Sequence, residues 1–171
     1  MVGQRPINLE DIESIVWGYE PVQLAEEAKE RVDIAARFVA DEAKKGHGVY
    51  GVTTGFGANR DQVIRPEDAE KMQENLIMSH ACGVGPALPV PVVRAMMLLR
   101  VAALIQGRSG IRWSTLQLLV GMLNNRVHPV IPEMGSVGAS GDLCPLAHMC
   151  LPIIGLGEAE YQGEIYSGAE A

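Results

Sequence analysis

Small residues crowd one segment of the chain in a pattern that could support backbone chemistry. Residues 135–142 read GSVGASGD, and taken alone Ala139-Ser140-Gly141 is typical of a tight surface turn. A nucleophile elbow, G-x-S-x-G, would need glycine at position 142, where the chain has Asp142. A phosphate-binding loop would need Gly-Lys-Ser/Thr, which this segment lacks. Both familiar motifs are therefore excluded.

Condensation of the backbone with itself is a third chemistry, and it suits all three residue types. In a strained turn, the backbone nitrogen of Gly141 can attack the carbonyl carbon of Ala139 and close a five-membered ring. Loss of water then converts the Ser140 side chain into an exocyclic methylene. Glycine lets the backbone fold tightly without a Cβ clash, serine supplies the leaving hydroxyl, and alanine is small enough to allow the compression. The product would be a methylidene-imidazolone, a strong electrophile.

A second glycine-rich segment carries a tyrosine. Tyr50 lies within GVYGVTTGFG, residues 48–57, which contains too many flexible residues for a regular element. Its residue type alone favours a buried aromatic anchor for a flexible loop. Dinucleotide binding has little support, because Gly55 and Gly57 are followed by Arg60 where G-x-G-x-x-G needs a third glycine.

The pair Ser79-His80 stands near the end of a predicted helix, before Gly83 and Gly85. A single histidine in such a place is most often a structural hydrogen-bonding group. The other three histidines show no metal-ligand spacing, so no metal site is expected.

Three segments together resemble the aromatic amino-acid ammonia-lyases and aminomutases, above all the histidine ammonia-lyases. The family's cofactor-forming segment is similar to IPEMGSVGASGDLCPLAHM, its tyrosine loop to VYGVTTGFGANRD, and its substrate-selectivity helix to NLIMSHACGVG. The similarity extends over nearly the whole chain, from about Leu9 to the tail GLGEAEYQGE. The resemblance implies a mainly α fold, the N-terminal part of the aspartase/histidine ammonia-lyase-like helical fold with Gly-rich active-site loops.

The resemblance also implies roles for individual residues. Residues 139–141 would form 4-methylidene-imidazol-5-one (MIO), the self-derived cofactor of the family, with no metal and no nucleotide. Tyr50 would be the base that removes a proton from the substrate β-carbon. Because a phenol with its ordinary pKa of about 10 is a poor base, nearby donors or positive charge would have to stabilise the phenolate. Ser79, His80 and Gly57 would contact the substrate.

The resemblance favours substrates whose ring carries a polar atom, since a hydrogen-bonding histidine at position 80 would otherwise be left unpaired. The resemblance therefore implies histidine, converted to urocanate, as the favoured substrate. The alternatives are a tyrosine or phenylalanine ammonia-lyase, a 2,3-aminomutase, or a non-catalytic subunit of a split lyase.

Residues 1–171 are interpreted as an N-terminal, cofactor-bearing domain. The central helical bundle and the C-terminal part of the family lie outside this sequence, and with them the arginine that binds the substrate carboxylate. Family active sites combine residues from three subunits of a homotetramer. The expected partners are therefore an aromatic amino acid, the remaining part of the enzyme on the same or a second polypeptide, and further subunits in a homotetramer or heteromeric equivalent.

Helical periodicity supplies the elements that would hold these loops. It predicts helices over about 22–45, 66–80, 91–105 and 114–124, the last with Ser114 as its N-cap. A short helix over 142–154 is limited by Pro152, the preceding segment HPVIPEMGSVGASG is predicted to be irregular, and the tail is predicted to form a small hairpin.

Composition excludes several other classes of protein. The net charge of −7 argues against a nucleic-acid footprint. Three cysteines without a C-x-x-C pair argue against a disulfide scaffold or zinc site. The first residues lack the apolar core of a signal peptide, and charged residues interrupt each apolar stretch, so we expect a cytoplasmic protein without a membrane span.

Overall fold

The computed structural model describes residues 1–139 and 141–171. Two helices, Val90–Leu104 and Trp113–Asn124, pack side by side at the centre of the structure, and the other elements surround them. The six α-helices are α1 (Leu9–Val16), α2 (Lys29–Lys44), α3 (Ala69–His80), α4 (Val90–Leu104), α5 (Trp113–Asn124) and α6 (Leu143–Cys150). Short 3₁₀ turns at Glu26–Ala28, Gly57–Asn59, Pro66–Asp68 and Pro152–Ile154 complete the helical part. The predicted mainly α fold is confirmed.

Five short strands form two antiparallel sheets. Strand β1 (Val84–Ala87) pairs with β3 (Pro132–Met134), while β2 (Val127–Pro129), β4 (Glu158–Tyr161) and β5 (Glu164–Ser167) form a three-stranded sheet in the order β2-β4-β5. The hairpin β4–β5 confirms the prediction for the tail. The prediction that HPVIPEMGSVGASG is irregular is wrong at residues 128–129 and 132–134, which lie in β2 and β3 because these strands pair with segments distant in sequence.

The core is built from the apolar faces of α4 and α5. Because aromatic residues are scarce, aliphatic and methionine side chains fill it at close packing. The most deeply buried members include Val93, Met97, Leu98, Val101, Leu116, Leu119 and Leu123. The core fixes α4 and α5, and each of these helices is connected to a strand: α4 follows β1, and α5 precedes β2. The strands in turn lead to the loops that carry the candidate site residues.

Helix α2 begins later than predicted. Residues 22–25 are not helical: the backbone N–H and C=O of Val22 are both held by the side chain of Asn124, at 2.8 Å. The backbone of Val2 pairs with Gln23 and Ala25 on the same stretch. These long-range hydrogen bonds hold the backbone extended, so the helix starts at Lys29.

Two further expectations about helices are wrong. Helical spacing over residues 22–45 predicts Phe38 on the apolar face of that helix, but its side chain is 64% exposed. Ser114 is not an N-cap, because α5 begins at Trp113 with Arg112 as a cap that makes no side-chain hydrogen bond. Helix α1 was missed altogether, although Asn8 and Asp11 form a reciprocal capping box at its start. Among the described residues, no helix has the length and apolarity to cross a membrane.

Candidate active site

The cofactor-forming loop connects β3 to α6. Ala139 and Gly141 are exposed in it, and Ser140 lies outside the described residues. Gly141 has a φ of 96°, in a region that residues with a Cβ rarely adopt. A Cβ at Gly141 would meet no atom within 4 Å, so the backbone conformation, rather than crowding, is what requires glycine here. Gly141 therefore adopts a backbone conformation that a residue with a Cβ would adopt only with strain.

A side-chain hydrogen bond joins the two ends of this loop. The hydroxyl of Ser136 donates to the carboxylate of Asp142. Beyond it, the N–H of Leu143 donates to the carbonyl oxygen of Gly141 at 3.0 Å as α6 begins. Ser136 is a site residue without a predicted role, although a serine and an aspartate at the two ends of a glycine-rich loop are a recognisable signal for such a bond.

Glycines allow the cofactor-forming loop to approach the end of α3. A Cβ built on Gly135 would stand 2.5 Å from Sγ of Cys144 and 3.1 Å from Cα of Gly83. On the other side, the N–H of Gly83 donates to Nε2 of His148 at 3.0 Å. Burial lowers the pKa of His148, which favours the neutral imidazole that this hydrogen bond needs. The end of α3 and the start of α6 therefore form one compact unit.

Ser79 and His80 occupy the last turn of α3. Oγ of Ser79 donates to the carbonyl oxygen of Leu76 at 2.8 Å, and Nδ1 of His80 lies 2.8 Å from the same oxygen. Because a carbonyl only accepts, Nδ1 must carry the proton, and Nε2 of a neutral His80 is then an acceptor. The side chain of His80 is half-buried. The geometry thus gives this histidine a fixed tautomer.

The tyrosine loop precedes α3 and is tied to it. Nε2 of Gln73 donates to the carbonyl oxygen of Gly51 at 3.2 Å. Within the loop, Thr53 is buried, accepts from the N–H of Val49 at 2.7 Å and donates to the carbonyl oxygen of His47 at 2.5 Å. The loop is therefore an ordered turn, although it contains many glycines.

Tyr50 is 63% exposed, so the interpretation of it as a buried anchor is wrong. Its ring packs edge-to-face on Phe56, with the ring centroids 5.8 Å apart. Its hydroxyl oxygen accepts a long hydrogen bond, 3.4 Å, from the N–H of Gly57. Gly57 has a φ of 56°, which lets its N–H point at the phenol. Gly57 thus contacts the tyrosine itself.

Helix α3 links the predicted site residues. The tyrosine loop is attached along it through Gln73, Ser79 and His80 form its last turn, and its end packs on the cofactor-forming loop through Gly83. In the part of the chain that the structure describes, Tyr50 makes its hydrogen bond within its own loop. Over the same residues, no group of three or more His, Cys, Asp or Glu side chains could hold a metal ion.

A comparison with family models decides the family. The model described as aromatic amino acid lyase matches residues 7–171, nearly the whole chain. This chain belongs to the aromatic amino acid lyase family. Its sequence relatives include a histidine ammonia-lyase of Clostridium tetani, 56% identical over 154 residues, which are 90% of this chain and 30% of the relative.

Solved structures of the lyase family share the fold. An ergothionase from Treponema denticola superposes with a TM-score of 0.92 at 34% identity, over 97% of this chain and 33% of the other. A phenylalanine aminomutase of Pantoea agglomerans gives the same TM-score and identity over 100% of this chain and 33% of its own. The predicted N-terminal part of the histidine ammonia-lyase-like fold is thereby confirmed, and the chain spans about a third of the length of these relatives.

Proposed function

We propose that this chain is the cofactor-bearing part of a histidine ammonia-lyase, which eliminates ammonia from L-histidine to give urocanate. The observation that carries the proposal is the positive φ of Gly141, in a loop whose first residue, Gly135, lies against Gly83 just beyond α3. Identity of about half to named histidine ammonia-lyases, over nearly the whole chain, supports the same substrate.

The residues of the loop fit MIO. The positive φ of Gly141 requires glycine at the third position of the ring-forming tripeptide, and the hydrogen bond between Ser136 and Asp142 joins the two ends of the loop. Open space around Gly141 leaves room for a ring in place of the open peptide. Residues 139–141 would hold the methylidene-imidazolone, which would supply an electrophilic alkene for the substrate amine.

Tyr50 is suited to move the β-proton of the substrate. Its hydroxyl is exposed and therefore accessible, and the N–H of Gly57 is a donor that would stabilise a phenolate. One long hydrogen bond is not enough for this purpose. The remaining donors or positive charge would come from parts of the enzyme beyond this chain.

His80 is suited to select the substrate ring. With its proton on Nδ1 directed at Leu76, its Nε2 can accept a hydrogen bond from a ring N–H of histidine. A phenyl ring offers no such donor, and a site built around a hydrogen bond rejects the ring that lacks it. Tyrosine, which has a hydroxyl donor, remains the second candidate.

A 2,3-aminomutase is a further candidate, because a phenylalanine aminomutase is among the solved structures that superpose well. The motifs that this chain contributes serve both reactions, which differ in whether the amine returns to the β-carbon. We further propose that the rest of the enzyme, on the same or a second polypeptide, supplies the substrate-carboxylate contact, and that several subunits assemble to complete each site.

The decisive experiment uses the complete assembly, with wild-type chain and the variants Ser140→Ala and Ser114→Ala. Ser114 is an exposed serine on α5 and serves as the matched control. We expect the wild type and the control to weigh less than the unmodified chain by two waters, with an extra ultraviolet chromophore, and Ser140→Ala to show neither. An unshifted wild-type mass would overturn the proposed chemistry.

Substrate choice is tested in the same assembly by following conjugated acids formed from histidine, tyrosine and phenylalanine. We expect histidine to react best, and His80→Leu to lower turnover of histidine more than that of phenylalanine. Turnover of phenylalanine alone by the wild type would contradict the role given to His80.

A further inference from the structure

Two of the three cysteines meet where α3 ends and α6 begins. Cys82 follows α3 by two residues and is exposed, whereas Cys144 is the second residue of α6 and is buried. The thiol of Cys82 lies beside that of Cys144. Gly83, the residue after Cys82, is close to the same sulfur, since a Cβ on Gly83 would stand 3.3 Å from Sγ of Cys144. The third cysteine, Cys150, lies at the far end of α6 and is half-buried.

Among the described residues around Cys144, Cys82 is the one that carries a second thiol. Gly83 and Gly135 lie close against its sulfur, since a Cβ on either would stand 3.3 Å and 2.5 Å from Sγ. These glycines have no reactive side chain, and they keep the sulfur from moving toward them. Cys82, on the exposed side, is the side chain that an oxidant reaches first and that can move toward Cys144.

We propose that Cys82 and Cys144 are a redox-sensitive thiol pair that closes into an intramolecular disulfide under a peroxide oxidant. In the first step, Sγ of Cys82 attacks a peroxide oxygen, the O–O bond breaks, and a sulfenic acid and water form when hydrogen peroxide is the oxidant. In the second step, Sγ of Cys144 attacks that sulfur and the sulfenic oxygen leaves as water. Two thiols and one hydrogen peroxide thus give one disulfide and two waters.

The electrostatics suit this division of labour. Burial raises the pKa of the Cys144 thiol, which keeps this thiol protonated and slow to react with the peroxide. It reacts once a sulfenic acid has formed on Cys82. Its position in the first turn of α6 places the thiolate at the positive end of the helix dipole during the attack. Cys150 stands at the opposite end of α6, and burial raises its pKa as well.

The disulfide would tie together the two elements on which the proposed function rests. Cys82 is two residues from His80, and Cys144 is two residues from Asp142 at the end of the cofactor-forming loop. A bonded S–S distance of about 2.05 Å is far shorter than a thiol contact. Because the two glycines restrain Cys144, Cys82 must make most of the movement, and the last turn of α3 would shift with it.

The test uses the complete assembly, treated with hydrogen peroxide, quenched with an alkylating reagent and digested without reductant. We expect one peptide pair joined through Cys82 and Cys144, lost in Cys82→Ser and in Cys144→Ser, and retained in Cys150→Ser. Treatment with dithiothreitol should separate the pair. A bond that involves Cys150 or a second copy of the chain, or oxidation of Cys82 without any bond, would overturn the proposal.

Activity supplies a second readout that rests on the proposed function. Peroxide should lower histidine turnover in the wild type by about tenfold, reversibly on adding dithiothreitol, and should affect Cys82→Ser much less. An equal loss in Cys82→Ser would disprove the link between the disulfide and the site. If no form turns over histidine, the proposed function fails, and the peptide map still decides on the thiol pair.

Discussion

Arg94 is the most deeply buried charged side chain in the core, at 2% exposure, and it binds two helix ends at once. Its guanidinium donates to the carbonyl oxygens of Ile15 at 2.6 Å and Val16 at 3.1 Å, the last residues of α1. It also donates to that of Leu123 at 2.9 Å, near the end of α5. Helix C-termini carry partial negative charge, so the cation stabilises both.

Replacing Arg94 by methionine keeps an apolar stem of similar length and removes the guanidinium. Three carbonyl oxygens then lose their donor, and an unsatisfied buried group costs about 1–3 kcal/mol. Water can reach part of the gap, because Tyr19, which stacks on the guanidinium at 4.2 Å, is itself 38% exposed. We therefore expect the free energy of unfolding to fall by about 3–5 kcal/mol, near the cost of leaving one partner of a buried pair alone.

Urea unfolding followed by far-ultraviolet circular dichroism measures this loss. With a slope of about 2 kcal/mol per molar, the midpoint should fall by about 2 M. Arg94→Lys should lie between the two, because an ammonium cannot reach all three carbonyls with the planar fork of a guanidinium. Arg100→Met, at an exposed position on the same helix, is the matched control and should change the free energy by less than about 0.5 kcal/mol. Equal shifts for Arg94→Met and Arg100→Met would refute the reasoning.

Burial lowers the pKa of His128 below its ordinary value of about 6.5, so the unfolded chain binds a proton there more readily than the folded one. The stability that this histidine contributes is present above pH 6.5 and declines as the pH falls toward the lowered value. We therefore expect His128→Gln to flatten that decline in urea titrations at a series of pH values, and an unchanged decline would refute the role of His128. Gly135→Ala should cost about 1–3 kcal/mol by the same assay, because its Cβ would stand 2.5 Å from Sγ of Cys144, and Cys144→Ala should restore part of the loss. Gly138→Ala, whose Cβ would meet nothing within 4 Å, is the control, and a similar cost there would count against steric crowding at position 135.

The motifs and most helices could be predicted because they depend on neighbouring residues. The types and order of residues 139–141 are enough to suggest ring formation. The helices over 69–80 and 90–104 are predicted by their apolar spacing and by a proline near each start. The tail hairpin followed from a short turn at Gln162-Gly163 between two strands. In each case the deciding interactions span only a few positions of sequence.

The remaining features depend on contacts between distant parts of the chain, and only the tertiary structure decided them. Asn124 holds Val22 extended across 102 positions, against its helical pattern. The sheet partner of β2 begins some thirty residues later, at Glu158. Likewise, His80 and the cofactor-forming loop can be recognised in the sequence, but their relative positions cannot. The loop lies near the end of α3 because the backbones at Gly83 and Gly135 pack closely, and only the tertiary structure shows this contact.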